Sequence, residues 1–109
     1  MLKHLAYYGT ASLLVLAANT MCLAQSSGAD TYKNKCQMCH AADGSGDTPA
    51  GKAMKALPFN SSGVLKTSDS ELIAMVENGK GKMPAFEGKL TDAQIKDVVA
   101  YIRTLQKKQ

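Results

Sequence analysis

The residues best suited to chemistry form one short run from Cys36 to His40, which reads Cys-Gln-Met-Cys-His. Two thiols at this spacing suit a thiol redox pair, half of a zinc site, or the attachment of a haem. A redox pair belongs beside a βαβ unit, and tetrahedral zinc needs further Cys or His ligands. Beyond residue 24, however, the chain has no strand pattern, no cysteine besides Cys36 and Cys39, and no histidine besides His40. The run therefore predicts a covalent haem site.

The spacing within this run matches what haem attachment requires. Two thiols one helical turn apart can each add to one vinyl group of a haem, and a histidine directly after the second thiol is then placed as an iron ligand. We predict thioether bonds at Cys36 and Cys39, with His40 as the proximal ligand of a single haem c.

A second iron ligand has to come from elsewhere, and the candidates are Met38, Met54, Met75 and Met83. Met38 lies within the attachment run and cannot reach the opposite haem face, while Met54 and Met75 have surroundings typical of core residues. Met83 lies in an irregular Gly-Lys-Gly-Lys-Met-Pro stretch, where Pro84 disfavours helix at the preceding residue. We predict that Met83 is the ligand; the alternative is that it fills a gap in the core. A His/Met pair raises the reduction potential of the iron.

Helical patterns dominate the segments that must position these side chains. A first helix is predicted over residues 29–39, followed by a loop over 41–51 and a short helical turn over 52–56. After a further loop over 60–67, Ser68 and Glu71 form a capping box for a helix that ends at Asn78-Gly79. An irregular loop over 79–89 precedes a second capping box, Thr91 with Gln94. The last helix carries one apolar stripe: Ile95, Val98, Val99, Ile102 and Leu105.

These segments predict an all-α fold with three main helices and long loops. The chain has 109 residues, no tryptophan and only two phenylalanines. A domain of this size buries too little apolar surface to be robust by itself. We expect the loops to wrap around the haem, whose apolar ring completes the core.

The first 24 residues have the pattern of a secretory signal peptide. Lys3 supplies positive charge, an apolar run covers residues 11–18, and the small residues Cys22 and Ala24 precede a cut after Ala24. The run is shorter than the roughly 20 apolar residues of a membrane span. An uncleaved anchor and a lipoprotein cut before Cys22 are the alternatives. We therefore expect a mature domain of residues 25–109, soluble in a bacterial periplasm.

The mature domain is mildly basic, because without Lys3 the net charge is +3, from 12 basic and 9 acidic residues. The lysines are scattered among acidic residues and are not interleaved with aromatic ones. A nucleic-acid partner is therefore not expected.

The order of these motifs resembles that of the small bacterial class I c-type cytochromes, over nearly all of residues 28–105. The matching positions are Gly28, Tyr32, the run from Cys36 to His40, Pro49, Met83-Pro84 and Tyr101. The resemblance implies the class I cytochrome c fold, in which Gly28 and Tyr32 on the first helix pack against Tyr101 on the last. It also implies that the Pro49 carbonyl accepts the proton of the second His40 ring nitrogen. Ala41 and Thr48 stand where relatives frequently have glycine, and we expect neither to affect the ligands.

A six-coordinate iron has no open position for a substrate, so we predict a carrier of single electrons between redox proteins, not an enzyme. No small-molecule substrate is expected, and the protein is predicted to be a monomer. The resemblance implies one exposed haem edge. Five lysines could form a positive ring around this edge and steer acidic partners towards it: Lys33, Lys35, Lys80, Lys82 and Lys89. The alternative is that they are ordinary solvated lysines. The alternatives are peroxide chemistry at an open iron, a ligand-binding or sensor module in which Met83 is labile, and an electron-transfer subunit of a larger oxidoreductase.

Overall fold

The computed structural model describes residues 27–108, whose regular secondary structure is helical. The helices are α1 (Gly28–Lys35), α2 (Gln37–His40), α3 (Pro49–Met54), α4 (Ser62–Lys66), α5 (Asp69–Asn78) and α6 (Asp92–Gln106). Only α1, α5 and α6 have eight or more residues. In this part of the chain β structure is limited to two isolated bridges. The all-α prediction with three main helices is thus confirmed. The predicted signal peptide lies outside the described residues.

Both predicted capping boxes are present and fix the starts of α5 and α6. At α5 the Ser68 N–H donates to Glu71 Oε2 at 2.9 Å, and the Glu71 N–H donates to Ser68 Oγ at 3.2 Å. At α6 the Thr91 N–H donates to Gln94 Oε1 at 2.9 Å, and the return bond to Thr91 Oγ1 is 3.1 Å long. Each box satisfies two backbone groups at a helix start, and so the two longest helices begin where the sequence predicts. None of the helices in residues 27–108 has the length and apolar character needed to cross a bilayer.

The packing of α1 against α6 follows the arrangement that the family resemblance implies. Tyr32 is buried, and its ring centroid lies 5.3 Å from that of Tyr101. A side chain at Gly28 would overlap the carbonyl oxygen of Asp97 on α6. A residue without Cβ therefore lets the two helices approach closely at this crossing.

The core lies between α6 and the segments that face it. The whole predicted stripe of α6 is buried, whereas on α5 only Val76 is fully buried. Leu72 and Ile73 are partly buried and pack against this core. Tyr32 of α1 also belongs to this core, and the remaining buried apolar side chains come from loops, namely Phe59, Phe86 and Leu90. Loop residues therefore complete the core, as expected for short helices.

Three boundaries differ from the sequence prediction. The first helix is interrupted at Cys36, which ends α1 and precedes α2. The predicted turn over 52–56 begins earlier, because Thr48 caps α3 and Pro49 occupies its first position, where proline is favoured. The predicted loop over 60–67 contains α4, whose Ser62-Gly63 start has low helix propensity and gave no helical pattern.

Candidate haem site

The predicted haem-binding side chains line one cavity of about 810 Å³. Cys36, Cys39 and His40 come from the α1–α2 corner, and Met83 comes from the loop after α5. The rest of the lining is mainly apolar, with Phe59, Val64, Leu72, Val76, Phe86 and Ile102 from the core or packed against it. Its volume lies in the range of roughly 300–1,000 Å³ that is usual for organic ligand sites. Size and lining fit a haem.

The α1–α2 corner presents the two thiols. The Cys36 N–H donates to the Tyr32 carbonyl at 2.9 Å, which ends α1, and the carbonyl of Cys36 accepts the N–H groups of Cys39 and His40 at 3.2 and 3.0 Å. The two cysteines are not joined by a disulfide. Burial, with a smaller contribution from Cys39, raises the pKa of the Cys36 thiol to about 11. Because no disulfide joins them, both sulfur atoms are available for thioether bonds.

His40 is held in the cavity by an aromatic neighbour. Its ring stacks on Phe59, with centroids 4.8 Å apart and an interplanar angle of 24°. Burial lowers the pKa of His40, so the imidazole is neutral at neutral pH, which is the form that binds iron.

The second ring nitrogen of His40 does not make the expected hydrogen bond. Nδ1 is buried and has no hydrogen-bond partner, so the bond to the Pro49 carbonyl is not formed in this structure. The physical reason is the helix start, because the carbonyl of Pro49, the first residue of α3, points along that helix towards the N–H groups of the next turn. Pro49 does not line the cavity.

All four candidate methionines line the cavity, but to different depths. Met38 is 77% exposed and Met54 is 49% exposed, so Met54 is not the core residue that the sequence predicts. Met75 and Met83 are both partly buried, and Met83 packs against the core. The structure thus brings two thioethers into the cavity, Met83 as predicted and Met75 beside it in the same lining.

Met83 is held by a tight turn that follows α5. The Lys80 N–H donates to the Met83 carbonyl at 3.2 Å, and the Met83 N–H donates to the Lys80 carbonyl at 3.0 Å. Gly79 precedes this turn with φ 72°, and a Cβ there would lie 2.6 Å from the Met83 carbonyl oxygen. Phe86 and Glu87 then donate to carbonyls of α5 at 3.0 Å each. These bonds fix the loop that carries Met83 to the end of α5.

The charged residues in the cavity lining are all lysines: Lys35, Lys55, Lys80 and Lys82. Three of them belong to the predicted ring, while Lys33 and Lys89 do not line the cavity. Lys55 was not predicted, because its place at the cavity depends on the left-handed conformation (φ 57°) with which it ends α3.

The zinc interpretation finds no support in the described part of the chain. Residues 27–108 contain no group of three or more His, Cys, Asp or Glu side chains that could hold a metal ion. An iron site with one histidine and one thioether ligand needs no such group.

Comparison with known proteins agrees with this site. A family model described as cytochrome c oxidase, cbb3-type, subunit III matches residues 24–102. Cytochrome c6 of Leptolyngbya boryana is 37% identical over 76 residues, which cover 70% of this chain and 86% of the relative. The chain belongs to the class I c-type cytochromes. Cytochrome c6 of Nostoc sp. is 38% identical over 93 residues, covering 84% of this cytochrome and 81% of the relative.

A solved structure of the KustC0563 c-type cytochrome has the same fold. It superimposes with a TM-score of 0.68 at 30% identity, over 74% of this chain and 99% of the other. As a member of this family, the cytochrome carries covalently bound haem c and is a monohaem electron carrier. Its relatives favour this role over peroxide chemistry or ligand sensing.

Proposed function

We propose that Cys36 and Cys39 hold the haem through thioether bonds and that His40 and Met83 are its two iron ligands. The observation that carries this proposal is that all four side chains line one apolar cavity. When bound, the haem supplies the iron centre that accepts and releases one electron.

The protein's own residues set the properties of that centre. A neutral His40 and the Met83 thioether favour the reduced iron and raise its potential. Both ligands are held firmly, His40 by the Phe59 ring and Met83 by its hydrogen-bonded turn. We expect them to stay bound in both oxidation states, which keeps the structural change during electron transfer small.

The Pro49 carbonyl stays our predicted acceptor for the His40 Nδ1 proton in the haem-loaded protein. A buried N–H without an acceptor costs about 1–3 kcal/mol, so a hydrogen bond from Nδ1 would stabilise the haem-loaded protein. This hydrogen bond requires the Pro49 carbonyl, at the start of α3, to turn towards the His40 ring when the haem is bound. A hydrogen-bonded Nδ1 proton that is protected from exchange in the haem-loaded protein would support the prediction, and a rapidly exchanging one would contradict it.

The ligand assignment is tested by absorption spectra of the oxidised protein. A thioether on ferric haem iron gives a weak band near the far-red end of the visible range. We expect this band in the wild type, its loss in Met83→Ala and its retention in Met75→Ala. The second variant is a matched control, because it removes a thioether from the same cavity. Loss of the band in Met75→Ala alone would assign the iron to Met75 instead.

We further propose that redox partners dock at the cavity mouth through acidic surfaces. The lining there carries four lysines and no acidic side chain from the described residues, and exposed Met38 and Leu57 add apolar area beside them. Unscreened positive charge of this kind speeds association with acidic partners, by about 10-fold or more at low ionic strength.

Electron-transfer rates at varied ionic strength test this docking surface. We expect the second-order rate constant with an acidic partner to fall as salt rises, and the Lys80→Glu, Lys82→Glu double variant to be slow even at low salt. The Lys96→Glu, Lys107→Glu double variant is the control, because it makes the same change in net charge on exposed residues outside the cavity lining, and it should change the rate far less. Equal slowing by both charge reversals would show that only net charge matters.

We also propose that residues 1–24 are removed as a signal peptide and that the mature protein acts as a monomer in the periplasm. Intact-mass measurement of the protein from a periplasmic extract should give residues 25–109 plus one haem, and size-exclusion chromatography should give a monomer. A mass that includes the first 24 residues would refute cleavage.

A further inference from the structure

The backbone of the attachment run contains carbonyl groups that need donors. The last carbonyls of a helix have no partner within it, and α2 has only four residues. Backbone N–H groups donate hydrogen bonds to the carbonyls of Gln37 and His40, at 2.9 Å each. The two carbonyls between them, those of Met38 and Cys39, face a side chain instead.

That side chain is Thr48, in the loop before α3. Its Oγ1 lies 2.7 Å from the Met38 carbonyl oxygen and 3.1 Å from the Cys39 carbonyl oxygen, so its proton can be donated to either. The same oxygen accepts the Gly51 N–H at 2.8 Å and thereby caps α3. One hydroxyl therefore connects the end of the helix that carries Cys39 and His40 to the start of the next helix.

The close packing of α3 on this turn makes the connection tight. A side chain at Gly51 would overlap the carbonyl oxygen of Cys39 and would lie 3.0 Å from Thr48 Oγ1. The first turn of α3 thus touches the attachment backbone directly. Because His40 follows Cys39, a movement of this carbonyl turns the peptide that carries the His40 side chain.

We propose that Thr48 is a positioning residue for the haem: its hydroxyl holds the backbone at Met38 and Cys39 and so sets the orientation of the His40 ring. This inference rests on the proposed ligation of iron by His40. Glycine, which is frequent at this position in the family, has no hydroxyl and cannot make these hydrogen bonds.

The test compares three variants of the haem-loaded ferric protein by proton NMR. The paramagnetically shifted signals of the four haem methyl groups depend on the orientation of both axial ligands, so they respond to a turn of the His40 ring. Thr48→Val removes the hydroxyl at nearly constant shape, and Thr48→Ser retains it. Thr91→Val removes an equivalent helix cap on α6 without touching α2. The haem bound per chain is measured in the same preparations.

We expect a changed pattern of methyl shifts, or loss of attached haem, in Thr48→Val only, while both valine variants lower the melting temperature. If Thr48 only caps a helix, Thr48→Val will keep the wild-type pattern and haem content, as Thr91→Val does, and the proposal is overturned. Equal defects in Thr48→Ser and Thr48→Val would also overturn it, because the hydroxyl would then not be the cause. Failure of His40 ligation itself would be visible in the wild-type spectrum, before any variant is compared.

Discussion

Gly79 gives the sharpest prediction about how the Met83 ligand is held. The substitution Gly79→Ala places a side chain at φ 72° and ψ 170°, a region essentially confined to glycine, at a cost of about 1–3 kcal/mol. The new Cβ would also lie 2.6 Å from the Met83 carbonyl oxygen and 2.9 Å from the Ala85 nitrogen. Overpacking of this kind costs about 1–3 kcal/mol more. We therefore expect the free energy of unfolding to fall by about 2–6 kcal/mol.

The same clash gives a local signature, because the chain can relieve it by opening the turn between Lys80 and Met83. The far-red band of the ferric protein should then weaken at denaturant concentrations well below global unfolding. Gly81→Ala is the matched control, since Gly81 has φ 58° but no atom within 4 Å of the added Cβ. It should cost only the left-handed penalty of about 1–2 kcal/mol and keep the band.

Equilibrium denaturation followed by circular dichroism, with the far-red absorbance recorded on the same samples, measures both effects. If Gly79→Ala retains the full band and loses no more free energy than Gly81→Ala, then the close approach at Gly79 does not hold Met83, and this reasoning is wrong.

Three further predictions concern backbone strain, helix packing and pH. Ala41 has φ 66° and ψ 163°, so Ala41→Gly should raise the free energy of unfolding by about 1 kcal/mol; destabilisation would show that the turn is unstrained. Gly28→Ala should lower it by about 1–3 kcal/mol, because the added Cβ meets the Asp97 carbonyl, and an unchanged melting temperature would refute that contact. The hydrogen bond from the Ser68 N–H lowers the pKa of Glu71. This hydrogen bond therefore stabilises the folded state above the ordinary carboxyl pKa, and the stabilisation is lost as the pH falls through the lowered pKa. Glu71→Gln should weaken the dependence of the free energy of unfolding on pH over that acidic range. An unchanged slope would contradict the contribution of Glu71.

The sequence predicts most of the helical frame because its signals are local. Two capping boxes and one apolar stripe each need only a few neighbouring residues to be recognised, and α5 and α6 begin where these signals place them. The weaker elements depend on tertiary contacts. The break at Cys36 and the short helix α4 have no cap or periodic pattern of their own, so the sequence gives no sign of them.

The sequence predicts the kinds of residue that line the cavity better than it predicts each individual residue. The run from Cys36 to His40 has the spacing of a haem attachment site, and Pro84 indicates the irregular stretch that carries Met83. The place of Met75 in the same lining cannot be read from its helical spacing, which is equally typical of a core residue. The hydrogen bonds of Thr48 cannot be predicted either, because a hydroxyl that bonds to carbonyls nine and ten residues earlier leaves no pattern in the sequence.

The central claim is that one haem with His40 and Met83 as ligands carries single electrons. A potentiometric titration of the haem-loaded wild-type protein, followed through both the main visible bands and the far-red band, tests it most directly. We predict a reversible one-electron transition at positive potential, with the far-red band appearing in step with oxidation. High-spin ferric iron without that band, together with carbon monoxide binding to the reduced protein at neutral pH, would mean an open iron and would contradict the claim.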